Sequence, residues 1–268
     1  MDQDFRNSAS PRSGGPEIAV QATGEVLDGA REYVQRQLAA FARRVSGDVD
    51  AMRVRLTTFR QTSAARPALA QANLVVDGRP VRAQAAAPFF REAATLLRAR
   101  LGGHLARLAR PAEPRSWPDA RHAHNRPPAV ALPAARRKIV RRKQYPLARS
   151  HPDEAALAMD VMDYDFHLFV DADTGQDSLV YRVGPTGYRL ARLRGLRPPT
   201  APASIPWTIN VHGVPRLSPD EAAERVETTE LPYRFFEHSA TGRGSVLYRR
   251  YDGHYGLLTA AGPAPETT

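Results

Sequence analysis

The second half of this chain contains an internal repeat. The segment Pro152-Asp153-Glu154-Ala155-Ala156 recurs as Pro219-Asp220-Glu221-Ala222-Ala223. Further matches keep the same offset of 67 residues and pair Phe169 with Phe236, Thr174-Gly175 with Thr241-Gly242, Ser178 with Ser245, Tyr181-Arg182 with Tyr248-Arg249, and Tyr188 with Tyr255. A repeat of this kind indicates two copies of one small structural unit in tandem.

Each copy is predicted to form a short helix followed by three strands. Proline occupies the first helical position of both copies, and Ser218 precedes the second helix as its cap. The strands of the first copy are predicted at Phe166 to Val170, Ser178 to Val183 and Tyr188 to Leu193, and their counterparts begin at Tyr233, Ser245 and Tyr255. The modules are therefore placed at residues 145–197 and 214–262, with a connector over residues 198–213.

One such module is close to the lower size limit for independent folding, so the apolar face of its sheet needs a partner. The other copy on the same chain can supply that partner. The expected pairing residues are Phe166, Leu168, Val180 and Tyr181, which face some of Tyr233, Phe235, Leu247 and Tyr248. Because side chains alternate along a strand, the sequence leaves open which face of each sheet is buried.

The front region, residues 17–110, has a different pattern of strand, helix, three strands and helix. Apolar residues recur at helical spacing after Asp28, and Asp77-Gly78 between two apolar runs predicts a hairpin turn. Pro88 opens a second helix. We predict an α+β fold in which a four-stranded sheet with two helices on one face precedes a flexible linker and two tandem α-β-β-β modules. Residues 1–16 are predicted to be a disordered tail.

Charge divides the chain into three parts. The whole sequence has 38 basic and 28 acidic residues, a net charge of +10, and nearly every cation is arginine. Residues 1–110 and residues 111–144 each have a balance of +7, whereas residues 145–268 have a balance of −4. A basic front half favours a polyanionic partner.

The segment over residues 111–144 is rich in Pro, Ala, Arg and His and has no periodicity, which is typical of an extended linker. Its cations can serve as a solvated tether or as phosphate contacts, and the sequence leaves both interpretations open. The candidate phosphate contacts are Arg136, Arg137, Lys138, Arg141, Arg142 and Lys143.

Several classes of function are disfavoured. The chain has no cysteine, which excludes disulfides, thiolate metal sites and cysteine nucleophiles. No apolar run approaches the ~20 residues of a membrane span, and we expect a cytoplasmic protein without a membrane partner. No nucleotide-binding or hydrolase motif occurs, and the second copy does not retain Asp163, Asp165 and His167 as an acid-base cluster. We expect no enzymatic activity, cofactor, metal or small-molecule substrate.

Segments of both halves resemble one family. In the front region these are Glu17-Ile18-Ala19-Val20, Arg31-Glu32-Tyr33-Val34, the Asp77-Gly78 hairpin and Val81-Arg82-Ala83-Gln84. In the modules they are Arg141-Arg142-Lys143-Gln144-Tyr145, His167-Leu168-Phe169, Val180-Tyr181-Arg182, Val246-Leu247-Tyr248-Arg249-Arg250 and Asp252-Gly253-His254-Tyr255. The sequence is similar to the long-form ribosome hibernation-promoting factors, and its two modules resemble the dormancy-associated type of actinobacteria. One departure is Ala87-Pro88-Phe89-Phe90, where relatives usually carry an acidic-aromatic helix start.

The resemblance implies that the front region binds the small ribosomal subunit in its mRNA and tRNA channel, contacts rRNA phosphates, inhibits translation and preserves idle ribosomes under stress or dormancy. Arginines seven residues apart project from one side of each helix. The expected rRNA contacts are Arg31, Arg36, Arg43, Arg44, Arg79, Arg82, Arg91, Arg98, Arg100 and Arg107. A DNA- or nucleoid-binding stress protein is the alternative, because the same charge attracts DNA.

The second module changes what the resemblance implies about assembly. In the usual long form, a single module pairs with a copy on another ribosome and joins the two ribosomes. With two modules on one chain, an effective concentration in the millimolar range (~10⁻³ M) favours the internal pair. We therefore expect a monomer that holds single ribosomes idle.

Overall fold

The computed structural model describes residues 17–59, 66–111, 130–183, 187–195, 205, 207–229 and 232–262. The predicted tail over residues 1–16 and most of the predicted linker, residues 112–129, lie outside these described residues. The described residues form three sheets, one of four strands and two of five.

The first sheet and two helices form the front domain. Its elements are β1 (Glu17–Thr23), α1 (Asp28–Ala42), β2 (Val49–Thr58), β3 (Ala68–Val76), β4 (Arg79–Ala87) and α2 (Phe90–Ala109). The strands lie in the order β1-β2-β3-β4, with β1 parallel to β2 and the other neighbours antiparallel. Asp77 and Gly78 join β3 to β4 with φ angles of 49° and 72°, the pair of positive values that a two-residue type I′ hairpin requires.

The apolar stripes of both helices pack on one face of this sheet. Val34 and Leu38 of α1 and Leu97 and Leu101 of α2 are fully buried. They share a core with the inward-facing residues of the strands, such as Met52, which alternates with exposed Arg53. The α+β architecture predicted from the sequence is confirmed, including the order of elements in this domain.

The two modules follow with a helix and five strands around each core. The elements of this half are β5 (Ile139–Tyr145), β6 (Arg149–Ser150), α3 (Pro152–Val161), β7 (Phe166–Asp171), β8 (Asp177–Val183), β9 (Gly187–Arg192), β10 (Trp207–Ile209), β11 (Arg216–Leu217), α4 (Pro219–Glu227), β12 (Tyr233–His238), β13 (Gly244–Arg249) and β14 (Tyr255–Ala260). The sheet orders are β10-β9-β8-β7-β6 and β11-β12-β13-β14-β5. The Ser218 side chain caps α4 by accepting from the Glu221 N–H at 3.3 Å.

The strand that precedes the first module completes the sheet of the second. β5 pairs in parallel with β14, and Ile139 lies opposite Tyr255. In the corresponding place, β10 pairs in parallel with β9, and Trp207 lies opposite Tyr188. Tyr188 and Tyr255 are equivalent in the repeat, so both modules present the same edge to an added strand.

The sequence prediction of a linker over residues 111–144 is therefore wrong at its C-terminal end. Ile139–Tyr145 is a strand, although its composition is basic and only its first and last residues are half-buried. An edge strand of a sheet has one side in solvent, and it tolerates charged side chains that an inner strand would exclude. The predicted connector over residues 198–213 likewise contains the short strand β10.

The two module sheets pack face to face, with one helix on the outer face of each. The outer cores are separate: Phe169 and Met159 belong to the first and Phe236 and Val226 to the second. Between the sheets lies a shared apolar layer. Its members are Leu147, Phe166, Leu168, Leu179, Tyr181, Ala191, Leu193, Val214, Tyr233, Phe235, Val246 and Tyr248.

This layer contains six of the eight residues predicted to pair the modules, and the prediction is wrong for the other two. Val180 and Leu247 point away from it into the separate outer cores. The physical reason is strand alternation, since neighbours such as Val180 and Tyr181 cannot face the same side of a sheet. Leu179 and Val246 occupy the shared layer instead.

A buried ion pair also joins the two modules. The Arg243 guanidinium contacts both carboxylate oxygens of Asp177, at 2.7 and 3.0 Å, and the Gly244 N–H donates to Asp177 Oδ2 at 2.7 Å. Asp177 is fully buried and Arg243 is 4% exposed. A Cβ at Gly244 would lie only 2.7 Å from the Asp177 Cβ, so only glycine allows this approach.

We predict that Gly244→Ala destabilises the paired modules by about 1–3 kcal/mol, because the added methyl group must displace Asp177 from a filled core. Gly213→Ala is the matched control, since a Cβ there meets no atom within 4 Å. Thermal and denaturant unfolding of both variants measures the difference. Equal stability of the two variants would contradict the close packing at Gly244.

We also predict an acid-sensitive first module. Burial lowers the pKa of His167 to about 4 from its ordinary 6.5. The unfolded chain then binds the proton more readily, so stability is full above pH ~6.5 and declines by about 3 kcal/mol as the pH falls to ~4. His167→Gln should remove this part of the pH dependence, whereas His212→Gln, at an exposed position, should not. If the wild type and His167→Gln have identical pH profiles of the free energy of unfolding, His167 is not the source of the acid sensitivity.

Candidate nucleic-acid interface

The first candidate surface is the solvent face of the two front-domain helices. Four arginines on this face are exposed: Arg36 within α1, Arg43 and Arg44 just after its C-terminal end, and Arg91 at the start of α2. Arg36 lies 3.6 Å from Glu32, but both side chains are 68% exposed, and such a pair holds the guanidinium only weakly. These four arginines are therefore available to an anionic ligand.

Arg91 lies beside an aromatic pocket at the N-terminal ends of α1 and α2. Its guanidinium carbon is 4.9 Å from the centre of the Tyr33 ring, within cation–π distance. The pocket has a volume of about 410 Å³, and its walls include Leu27, Tyr33 and Phe89. Phe89 is 73% exposed, so an apolar ring faces solvent next to a cation.

Other predicted rRNA contacts already have partners within the protein. Arg31 donates to the Val20 carbonyl at 3.0 Å, and Arg98 donates to Gln37 Oε1. Arg100 forms an ion pair with Asp163 of the first module, and Arg82 donates to the Met162 carbonyl at 3.2 Å.

Arg79 is exposed in the β3–β4 hairpin, and Arg107 is half-buried on α2.

The second candidate surface is the basic strand β5. Arg141, Arg142 and Lys143 are exposed along it. Partial burial and the nearby charges of Arg141 and Arg82 lower the pKa of Lys143, which places this strand beside the edge of the front domain. Lys143 of the second candidate surface therefore lies near Arg82 of β4.

Three further cations precede this strand, and they differ in their surroundings. Arg136 and Lys138 are exposed. Arg137 is different, because it forms an ion pair with Glu227 of α4 and donates to the Leu132 carbonyl at 2.8 Å. Arg137 thus stabilises the second module in this structure.

The junction between the front domain and the first module is not predicted from the sequence. Gln84 of β4 and Asp163 after α3 meet there, and Gln84 Nε2 also donates to the Tyr251 hydroxyl at 2.7 Å. The alternation of β4 signals that Gln84 faces away from the helices, but the sequence contains no signal for the module residue opposite it.

Neither a metal site nor a membrane segment appears in the part of the chain that the structure describes. No group of three or more His, Cys, Asp or Glu side chains within it is arranged to hold a metal ion. No helix within it is long and apolar enough to cross a membrane.

The chain thus combines a front domain that has a basic helical face with two paired modules of one repeat. The modules match the sequence profile described as the Sigma 54 modulation/S30EA ribosomal protein C terminus, over residues 134–190 and 210–257. Both copies of the repeat are thus matched, and each match begins before its module.

Similarity to curated relatives extends over most of the chain. The "Dormancy associated translation inhibitor" of Mycobacterium tuberculosis, in the strains CDC 1551 / Oshkosh and H37Rv, is 40% identical over 256 residues, which cover 92% of this chain and 89% of the relative. The "Ribosome hibernation promotion factor" of M. tuberculosis H37Rv is 41% identical over 56 residues, covering 21% of this chain and 26% of that protein. The chain belongs to the hibernation-factor family, in its dormancy-associated form with two modules, and the resemblance noted in the sequence is confirmed.

Two of the similar solved structures each cover about a third of the chain. A ribosomal subunit interface protein from Coxiella burnetii covers 34% of this chain and 96% of its own, with 15% identity and a TM-score of 0.28. The N-terminal domain of Thermus thermophilus Protein Y covers 35% and 99%, with 21% identity and a TM-score of 0.28.

Proposed function

We propose that this protein is a ribosome hibernation factor that binds the small subunit in its mRNA and tRNA channel, inhibits translation and preserves idle ribosomes under stress or dormancy. The observation that carries the proposal is the 40% identity, over 92% of the chain, to a dormancy-associated translation inhibitor. A ribosome-bound protein of this kind works in the cytoplasm and needs no catalytic site or cofactor.

The charge of the helical face supports rRNA as the ligand. Structured RNA is recognised mainly through its shape and its phosphates, so a row of exposed arginines is sufficient without a base-reading motif. Arg36, Arg43, Arg44 and Arg91 have the required exposure. Arg141, Arg142 and Lys143 of β5 add phosphate contacts beside the front domain.

The aromatic pocket adds a different kind of contact. Unstacked RNA bases bind to exposed aromatic rings and to guanidinium planes, each worth roughly 1–3 kcal/mol. Phe89 and the Tyr33–Arg91 pair provide both surfaces at one end of the helices. This pocket includes Pro88, Phe89 and Phe90, where the sequence departs from the acidic-aromatic helix start that the family resemblance implies.

The paired modules support action on single ribosomes. The shared layer between the sheets is filled by residues of the same chain. Little apolar sheet surface is then left for a module on another ribosome, and the protein acts as a monomer.

Reversal of four exposed cations tests the helical face. The variant Arg36→Glu, Arg43→Glu, Arg44→Glu, Arg91→Glu should lose inhibition of translation in vitro while it stays folded. Each lost phosphate contact lowers the salt slope of binding by about one unit, so the slope of log affinity against log salt should fall by up to about four. Binding to purified small subunits at several salt concentrations measures it.

The matched control reverses four cations on the modules, Arg149, Arg194, Arg216 and Arg225, all of which are exposed. It changes the net charge equally and should retain most of the affinity. If both variants lose affinity to the same extent, the helical face has no special role. Association of the wild-type protein with DNA, and not with ribosomes, would overturn the proposed function itself.

Internal pairing is tested by the state of the ribosomes. Sucrose gradients of ribosomes incubated with the protein should show a stable single-ribosome peak and no dimer peak, because the module surfaces are already paired. A dimer peak that appears with the full chain and vanishes on deletion of residues 214–268 would contradict the internal pair.

A further inference from the structure

The front domain holds one carboxylate of the first module in a clamp of hydrogen-bond donors. Asp163 follows α3 in a left-handed conformation, with φ of 52°, and is 2% exposed. Its Oδ2 accepts from the backbone N–H of Gln84 at 3.1 Å, and its Oδ1 is paired with the Arg100 guanidinium. The donors come from the edge strand β4 and from helix α2.

A second arginine completes the clamp on the backbone of the same turn. Arg82 Nη1 donates to the carbonyl oxygens of Met162 and Asp163, at 3.2 and 3.4 Å. Its guanidinium also lies over the Tyr164 ring, 5.5 Å from the centre. His104 Nδ1 lies 2.9 Å from the Arg82 carbonyl and holds α2 against β4.

The clamp has the chemistry of an oxyanion site. The Arg100 guanidinium and the Gln84 N–H converge on the Asp163 carboxylate, and Arg82 donates to the neighbouring carbonyl oxygens of the same turn. The same kinds of donor suit a phosphate as well as a carboxylate. Arg82 and Arg100 lie on the domain whose ligand, by the proposed function, is rRNA. An rRNA phosphate and Asp163 cannot occupy the clamp together.

The junction around the clamp is of a kind that can open. Among the described residues, the apolar clusters stay within the front domain, within one module or between the two modules, and none spans this junction. Polar interfaces between domains of one chain permit relative motion.

We propose that the clamp of Arg82, Arg100 and the Gln84 N–H is a binding site for an rRNA phosphate, and that Asp163 occupies it in the free protein. The free protein is then closed, and the small subunit competes with the first module for the front domain. This inference rests on the proposed function and adds to it a specific phosphate site and its internal competitor.

The test weakens the competitor without changing the site. Asp163→Asn removes the charge, keeps the size of the side chain and tolerates the left-handed backbone. The control Glu224→Gln removes one negative charge from an exposed position on α4. For the full chain, small-angle X-ray scattering measures opening, and titration with purified small subunits measures affinity.

We expect Asp163→Asn to increase the radius of gyration of the free protein and to bind small subunits on the order of tenfold more tightly, because less of the affinity is spent on opening. Glu224→Gln should change neither quantity. Adding Arg100→Gln to Asp163→Asn should keep the protein open and abolish the gain in affinity, since the phosphate site has lost a guanidinium.

Each other outcome overturns the inference in a recognisable way. If wild type binds small subunits and Asp163→Asn binds equally, Asp163 does not compete with rRNA. If Asp163→Asn opens the protein and Arg100→Gln leaves the gain intact, Arg100 does not hold a phosphate. If neither wild type nor any variant binds small subunits, the proposed function fails, and the phosphate assignment fails with it.

Discussion

The two module sheets stabilise each other by packing face to face. Each sheet has two apolar faces, and its own helix covers only one of them. A unit of about fifty residues has too little core to leave the other face in water. The shared layer that includes Leu168, Tyr181, Phe235 and Val246 solves this for both modules at once. The tandem repeat in the sequence is therefore explained by this contact, because each copy covers the apolar sheet face that the other copy would expose.

The exchanged strands extend this pairing and place a basic segment on the surface. Because β5 is drawn into the sheet of the second module, Arg141, Arg142 and Lys143 lie along a defined edge and not on a free tether. A strand that is paired along its length carries its cations at regular spacing, so less conformational entropy remains to be lost when phosphates bind. The contact that completes the core thus also orders part of the candidate interface.

The sequence predicts those parts of the fold that depend on local patterns. Helical spacing identifies α1 and α2, Asp77-Gly78 identifies the hairpin, and the repeat identifies both modules. The errors lie where partners are distant in the chain. No local pattern shows that β5 joins β14, that Val180 and Leu247 turn toward the outer cores, or that Arg100 meets Asp163. Those outcomes depend on strand exchange and domain contact, which a single sequence window does not contain.

The buried pair between Asp177 and Arg243 favours pairing of unlike modules over pairing of two identical modules. Equivalent positions differ between the copies, since Gln176 corresponds to Arg243 and Gly244 to Asp177. A symmetric contact between two first modules would place Asp177 opposite Gln176 and leave a buried carboxylate without its guanidinium, a loss that typically costs about 3–5 kcal/mol. A symmetric contact between two second modules would place Arg243 opposite Gly244, where no carboxylate is available to pair with it. Only a contact between a first and a second module pairs the Asp177 carboxylate with the Arg243 guanidinium, and one chain contains one module of each kind.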